Sequence, residues 1–312
     1  MTTVCVVFGG TGFLGRRLVR RFAGEGATLR IAVRSPDRAP RVLSPADLDR
    51  ATLLRADVHD RASVAAAVAG ADAVINAVSA YVEKPGATFE SVHEQGARTL
   101  AQEAAAAGVA RFVLVSGIGA DPESRSPYIR ARGRGELAVR QAFANATIVR
   151  PSAMFGPGDA LFGTLADLVR LLPVVPLIGG GRTRLQPVYV EDVAEGIARI
   201  LAERASAGQT YELAGPGVYT LRELVGFALR LMNKRRLLLP VPFAVAEIQA
   251  RLFELLPSPP LTTGQVDLLR ADTLASGALP GFGDLDIPPK SIEDIVPTYI
   301  GRLPTPPASA GN

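Results

Sequence analysis

Gly9, Gly12 and Gly15 recur at every third position near the start of the chain. Glycines so spaced serve where a strand turns sharply into a helix. The first permits the turn, the second lets the backbone approach a pyrophosphate, and the third lets helix and strand pack closely. The opening helix then offers free N–H groups and a positive dipole end to the phosphates. Thr11, Phe13 and Leu14 complete the loop and the first helical turn. The expected chemistry is dinucleotide binding, with a purely structural glycine turn as the alternative.

Where NAD sites usually carry a carboxylate for the ribose 2′-hydroxyl, this chain has Arg34, with Arg38 close behind. A guanidinium pairs with a 2′-phosphate through charge-assisted hydrogen bonds. NADP(H) is therefore expected over NAD(H), although Asp37 leaves room for NAD and a solvated loop arginine is the alternative. Asp57 follows the third apolar run. It either accepts the adenine amino proton or caps the next helix.

These residues need a frame, and the pattern supplies one. Residues 4–8 form a continuous apolar run, as in a parallel strand buried on both faces. A helix over 13–23 follows, with Leu14, Leu18, Val19 and Phe22 on one face, closed by Gly24, Glu25 and Gly26. Strands are then predicted at 28–33, 51–56, 73–78, 111–116 and 146–150. Helices are predicted at 61–69, 89–107 and 127–143. Strands alternating with helices at these intervals predict an α/β fold, a doubly wound parallel sheet.

After Pro151 proline and glycine become frequent. A smaller C-terminal lobe is expected over 156–182 and 206–303. Residues 1–155 form the dinucleotide-binding domain, 183–205 return to it, and 304–312 form a flexible tail.

Composition narrows the function classes. The chain has 312 residues, 48% apolar and 21% charged, a globular balance. The net charge of +4 is spread along the sequence without a dense basic block, which argues against nucleic acid. One cysteine and two histidines cannot assemble a metal cluster of recognisable spacing. Cys5 reads as a small buried hydrophobe. Neither a signal peptide nor a membrane-spanning run is expected, so the protein is read as cytoplasmic or peripheral.

The glycine loop, Asp57, the segment Asn76, Ala77 and Val78, then Ser116, Tyr128 and residues 150–156 and 187–194 fall in a familiar order. The sequence resembles the extended and atypical short-chain dehydrogenase/reductase superfamily, epimerase branch. Residues 7–16, 128–136, 186–190 and 237–243 are similar to the Rossmann-fold accessory subunit of respiratory complex I and its bacterial relatives. The resemblance implies a tightly held NADPH, a place beside the quinone-site arm on the cytoplasmic face of the inner membrane, and a structural role. It also lines the cofactor with Val58, Ala77, Val78, Ser116, Tyr128, Arg132 and Pro151.

In active members of that superfamily a tyrosine moves a proton at a carbonyl or alcohol. A lysine four residues later lowers the tyrosine pKa and binds the nicotinamide ribose, and a serine polarises the substrate oxygen. Residues i and i+4 are neighbours on one helix face. Ser116 and Tyr128 match, but Arg132 stands at the lysine position. Arginine keeps the charge yet is bulkier and planar, which puts catalysis in doubt. Either the cofactor is held without turnover, or the protein is a reductase, epimerase or dehydratase. The loop 79–86, with Tyr81, Glu83 and Lys84, is expected over the nicotinamide end. Residues 237–256 either cover a core or face a membrane protein or bilayer, with Lys234, Arg235 and Arg236 suited to anionic headgroups.

Overall fold

A computed structural model describes residues 3–24, 28–254, 256 and 261–300. The proposed close of the first helix at Glu25 and Gly26, and the tail 304–312, lie outside them.

The chain begins with β1 (Val4–Phe8), α1 (Phe13–Ala23), β2 (Thr28–Val33), α2 (Pro45–Leu48), β3 (Ala51–Arg55), α3 (Arg61–Val68) and β4 (Ala73–Asn76). It continues through α4 (Ala97–Ala106), β5 (Arg111–Val115), α5 (Pro127–Ala142), β6 (Thr147–Pro151) and β7 (Met154–Phe155). Next come α6 (Ala160–Leu171), β8 (Val174–Ile178), β9 (Arg184–Leu185), β10 (Val188–Tyr189), α7 (Val190–Ala202) and β11 (Thr210–Leu213). Then follow β12 (Tyr219–Thr220), α8 (Leu221–Leu231), β13 (Leu237–Val241), α9 (Phe243–Phe253) and α10 (Thr263–Leu268).

Seven parallel strands form the central sheet in the order β11-β6-β5-β4-β1-β2-β3. β1 shows why its apolar run is continuous. Cys5 and Val7 point into the core shared with α1 and α7, while Val6 and Phe8 point into the opposite core shared with α3 and α4. Side chains alternate across a strand, so a strand covered on both sides must be apolar throughout. Burying a side chain of the size of Phe8 contributes roughly 1.5–3 kcal/mol. Strand order reverses at β1, which pairs with β2 on one side and β4 on the other. The crevice beyond the strand ends at such a reversal is where open α/β sheets bind ligands.

A third core gathers Phe155, Phe162, Leu165, Leu177 and Leu224 from β7, α6, β8 and α8. β8 and β13 pair in parallel, with Leu237 opposite Val174 and Leu239 opposite Pro176. The outward side chains of this pair are apolar: Val174, Leu237 and Leu239 are exposed. α9 rests Ala246 and Ala250 near Val266 of α10 and turns Val245, Ile248 and Leu252 outward, the last two 61% exposed. No helix of the described residues is long and apolar enough to cross a membrane.

Three expectations change. Residues 210–213, assigned by sequence to the smaller lobe, form β11 and pair with β6 at the edge of the main sheet, where Tyr211 and Leu213 bury in the core shared with α1 and α7. The helix expected over 89–107 opens with a π-helical stretch, Glu90–Gly96, before α4. Close approach explains the wider turn: a Cβ on Gly135 of α5 would stand 1.9 Å from the His93 carbonyl oxygen, and one on Gly96 2.7 Å from Val58. α6 and β13 were not foreseen as separate elements.

The segment beyond α10 returns to the first core. Phe282, Leu285 and Ile287 pack with α1 and α7, and Arg199 of α7 donates to the Leu285 and Asp286 carbonyls. The Lys290 N–H donates to Asp192 at 2.7 Å, and the Tyr299 hydroxyl to Asp159 at 2.7 Å.

Candidate functional site

The glycine loop lies at the strand-order reversal. Gly9 has φ +80°, and a Cβ there would lie 2.7 Å from the Ala77 carbonyl oxygen. A Cβ on Gly15 would lie 2.1 Å from the Gly9 carbonyl oxygen, so only glycine lets α1 start so close to the turn. A Cβ on Gly10, which the spacing argument passed over, would lie 2.5 Å from the Ile31 Cγ2 methyl of β2. Gly12 caps α1 without a side-chain acceptor, and no acidic residue stands in the first turn. Its N–H donates to the Gly9 carbonyl at 2.9 Å. The next N–H groups have no intrahelical acceptor. Leu14 is buried and Phe13 packs on the same core, so both offer the ligand backbone only. This cradle fits a pyrophosphate.

Beside it, Thr11, Val33, Arg34, Ser35, Arg38 and Val42 line a cavity of about 270 Å³ at the end of β2. Arg34 and Arg38 are exposed. Asp57 follows β3. Partial burial pushes its pKa up, but hydrogen bonds from the His59 backbone and ring, with the field of Arg34, hold it below the usual carboxylate range. The His59 N–H and Nδ1 lie 3.0 and 2.8 Å from Oδ1. The helix-cap role falls to Asp60, which accepts the Ala62 and Ser63 N–H groups. Val58 is buried beneath Gly96 and has only backbone to offer.

On the far side of β1, Ala77 and Val78 follow β4. The Asn76 carboxamide oxygen accepts the Val78 N–H at 3.1 Å, holding that turn. Pro151 ends β6, and its carbonyl accepts the Ile118 N–H. Ser116 follows β5; it is buried and its hydroxyl has no protein partner.

α5 brings Tyr128 and Arg132 to this point. Arg132 donates from Nη1 to the Ser116 carbonyl at 2.7 Å and from Nη2 to Ser79 Oγ at 3.3 Å. Its guanidinium lies 4.8 Å from the Tyr128 ring centroid and 5.9 Å from that of Tyr81. A Cβ on Gly117 would lie 2.0 Å from Arg132 Nη1, so this glycine makes room for the bulkier side chain.

Tyr128 is buried among aromatic rings. Tyr81, Phe89 and His93 have centroids 5.6, 5.3 and 5.5 Å away. Burial pushes the Tyr128 hydroxyl well above the usual tyrosine range, and Arg132 only partly opposes this. His93 sits in the π-helical stretch with Nε2 2.9 Å from the Ala80 carbonyl. Burial first, then Arg132, pushes its pKa down to about 4, so it is neutral near pH 7. Glu83 of the 79–86 loop accepts the Phe89 N–H at 2.8 Å, and Lys84 bridges to Ala87.

The sequence reading therefore missed Ser79, Phe89, His93 and Gly117. Only Gly117, next to Ser116, carried a local signal. Among the described residues no group of three or more histidines, cysteines and carboxylates could hold a metal.

Residues 9–204 match a family described as NAD(P)H-binding. The chain is 37% identical over 302 residues to the mitochondrial NADH dehydrogenase [ubiquinone] 1 alpha subcomplex subunit 9 of Arabidopsis thaliana, covering 93% of this chain and 75% of that protein. It is also 37% identical over 191 residues to a ceramide reductase of Caulobacter vibrioides, covering 61% of this chain and 58% of that protein. A nucleoside-diphosphate-sugar epimerase from Staphylococcus aureus shares the fold at 16% identity, with a TM-score of 0.76, covering 97% of this chain and 100% of that one. The chain thus belongs to the NAD(P)H-binding Rossmann family and, within it, to the family of the alpha subcomplex subunit 9 of NADH dehydrogenase.

Proposed function

We propose that this protein holds NADP(H) without turning it over and serves as an accessory subunit of an NADH:quinone oxidoreductase complex, seated on the cytoplasmic face of the membrane. One observation carries the reading. At the position where an active reductase needs a lysine, Arg132 is hydrogen-bonded to the Ser116 carbonyl and stacked on the Tyr128 ring. A bound nicotinamide supplies hydride to a carbonyl, which needs a proton from a nearby acid. Tyr128 is a poor one, since its burial holds its hydroxyl above the usual tyrosine range and so keeps it from giving up its proton.

Arg34 and Arg38 beside the ribose cavity support NADP(H) over NAD(H). The relative that spans most of the chain is named as a subunit of the NADH dehydrogenase complex, which supports that partner. The outward apolar side chains of β8, β13 and α9 suit a membrane protein or bilayer interface, with Lys234 and Arg235 exposed beside them.

The test is purification from solubilised membranes. Expected are one NADPH per chain that survives dilution, co-purification with the complex, and no consumption of NADPH with a panel of carbonyl substrates. Steady turnover that Tyr128→Phe abolishes would overturn the reading. The ceramide reductase match favours a second reading, a reductase of a long-chain lipid carbonyl, and the panel should include such a substrate.

A further inference from the structure

α1 carries Arg16, Arg17, Arg20 and Arg21 along its length, and their partners differ. Arg17 and Arg20 lie 3.6 and 3.9 Å from Glu191, and Arg21 lies 2.5 Å from Glu195. Arg16 makes no side-chain hydrogen bond or ion pair among the described residues, and its Nε is buried without a partner. A buried donor on a cation is costly to leave unsatisfied, so the lack of any protein acceptor for this Nε calls for one from outside.

Its position says where that acceptor lies. Arg16 follows Gly12 by four residues, on the same helix face, and its own N–H donates to the Gly12 carbonyl at 3.0 Å. Helical side chains lean toward the N-terminus and cover the turn before them. Arg16 therefore reaches back over the open turn of Gly12 and Phe13. Its tip lies 3.9 Å from the Cβ position of Gly158, in the loop after β7. Arg17 fixes that loop by donating to the Pro157 carbonyl at 2.5 Å. The chain reaches Gly158 from β6, which lies on the β4 side of β1, whereas the Arg34 cavity is at the end of β2 on the other side.

We propose that Arg16 binds the pyrophosphate of the nicotinamide dinucleotide, at the phosphate nearer the nicotinamide. The assignment rests on the nucleotide-binding reading above. It gives the two arginines separate tasks: Arg34 reads the 2′-phosphate, and Arg16 holds a group that NADPH and NADH share.

The experiment is titration of the full-length apo protein and its Arg16→Gln and Arg16→Lys variants with NADPH, NADH and adenosine 2′,5′-bisphosphate, which lacks the nicotinamide-side phosphate. Arg16→Gln should weaken NADPH and NADH equally, by about tenfold to a hundredfold. The bisphosphate should bind all three proteins within about twofold. Arg16→Lys should recover part of the loss, since it restores the charge without the planar fork. Undiminished NADPH binding by Arg16→Gln overturns the proposal while leaving the nucleotide reading intact. An equal loss for the bisphosphate also overturns it, by placing the effect elsewhere in the pocket. A wild-type protein that binds none of the three removes both.

Discussion

Arg34→Ala should separate the two nicotinamide nucleotides. Arg34 and Arg38 line the cavity at the end of β2 together with Thr11 and Ser35, and the alanine removes the nearer guanidinium. A hydrogen bond to a charged group contributes about 1.5–3 kcal/mol. Arg34 is exposed, so solvent and salt screen it, and the lower part of that range applies. The expected loss for NADPH is about 1.5–2 kcal/mol, or roughly 10–30-fold in Kd. NADH has no phosphate to lose and should change by less than about twofold. Nucleotide fluorescence titrated at two ionic strengths measures both, and the wild-type preference for NADPH should shrink as salt rises. If Arg34→Ala weakened both nucleotides alike, the side chain would be shaping the loop, and the argument for the 2′-phosphate would fail.

Three further outcomes follow from the packing. His93 titrates at about 4 when folded against 6.5 as a free side chain, so the unfolded chain binds more protons between those values. Its contribution is complete above pH 6.5 and declines by roughly 3 kcal/mol as the pH falls to about 4; urea melts across that window should show the decline, and His93→Gln should flatten it. Gly135→Ala forces a Cβ against the His93 carbonyl and should lower stability by about 1–3 kcal/mol, with a wild-type melting curve as contrary evidence. Ile248→Glu and Leu252→Glu, both on the exposed face of α9, should leave stability within about 0.5 kcal/mol but release the protein from membranes. Retention of both variants would mean that another surface docks.

The nucleotide half was legible because its signals are local. A continuous apolar run, three glycines and an amphipathic helix lie within residues 4–23, and β1, the loop and α1 have no latitude to differ. The Tyr128 and Arg132 pair was legible for the same reason, since both lie on one helix. The rest of that pocket was not. Phe89, His93 and Ser79 arrive from a segment some forty residues away, and only the close passage of α5 over the π-helical stretch brings them to Tyr128. β11 was misplaced because a four-residue strand carries no mark of the sheet it joins. β13 hid in a run of leucines because its outward face is apolar, which removes the alternation that marks a half-buried strand.

The late segment that lays Phe282, Leu285 and Ile287 against α1 and α7 has a consequence for dissection. The polypeptide leaves the nucleotide-binding layer after β6, re-enters for α7 and β11, departs again, and comes back a last time near its end. Cutting after residue 155 would strip the sheet of an edge strand and α1 of its covering helix, so such a fragment should aggregate rather than bind nucleotide. Heat or denaturant should meet one cooperative transition instead of two, and nucleotide added to the intact chain should raise the midpoint of the whole.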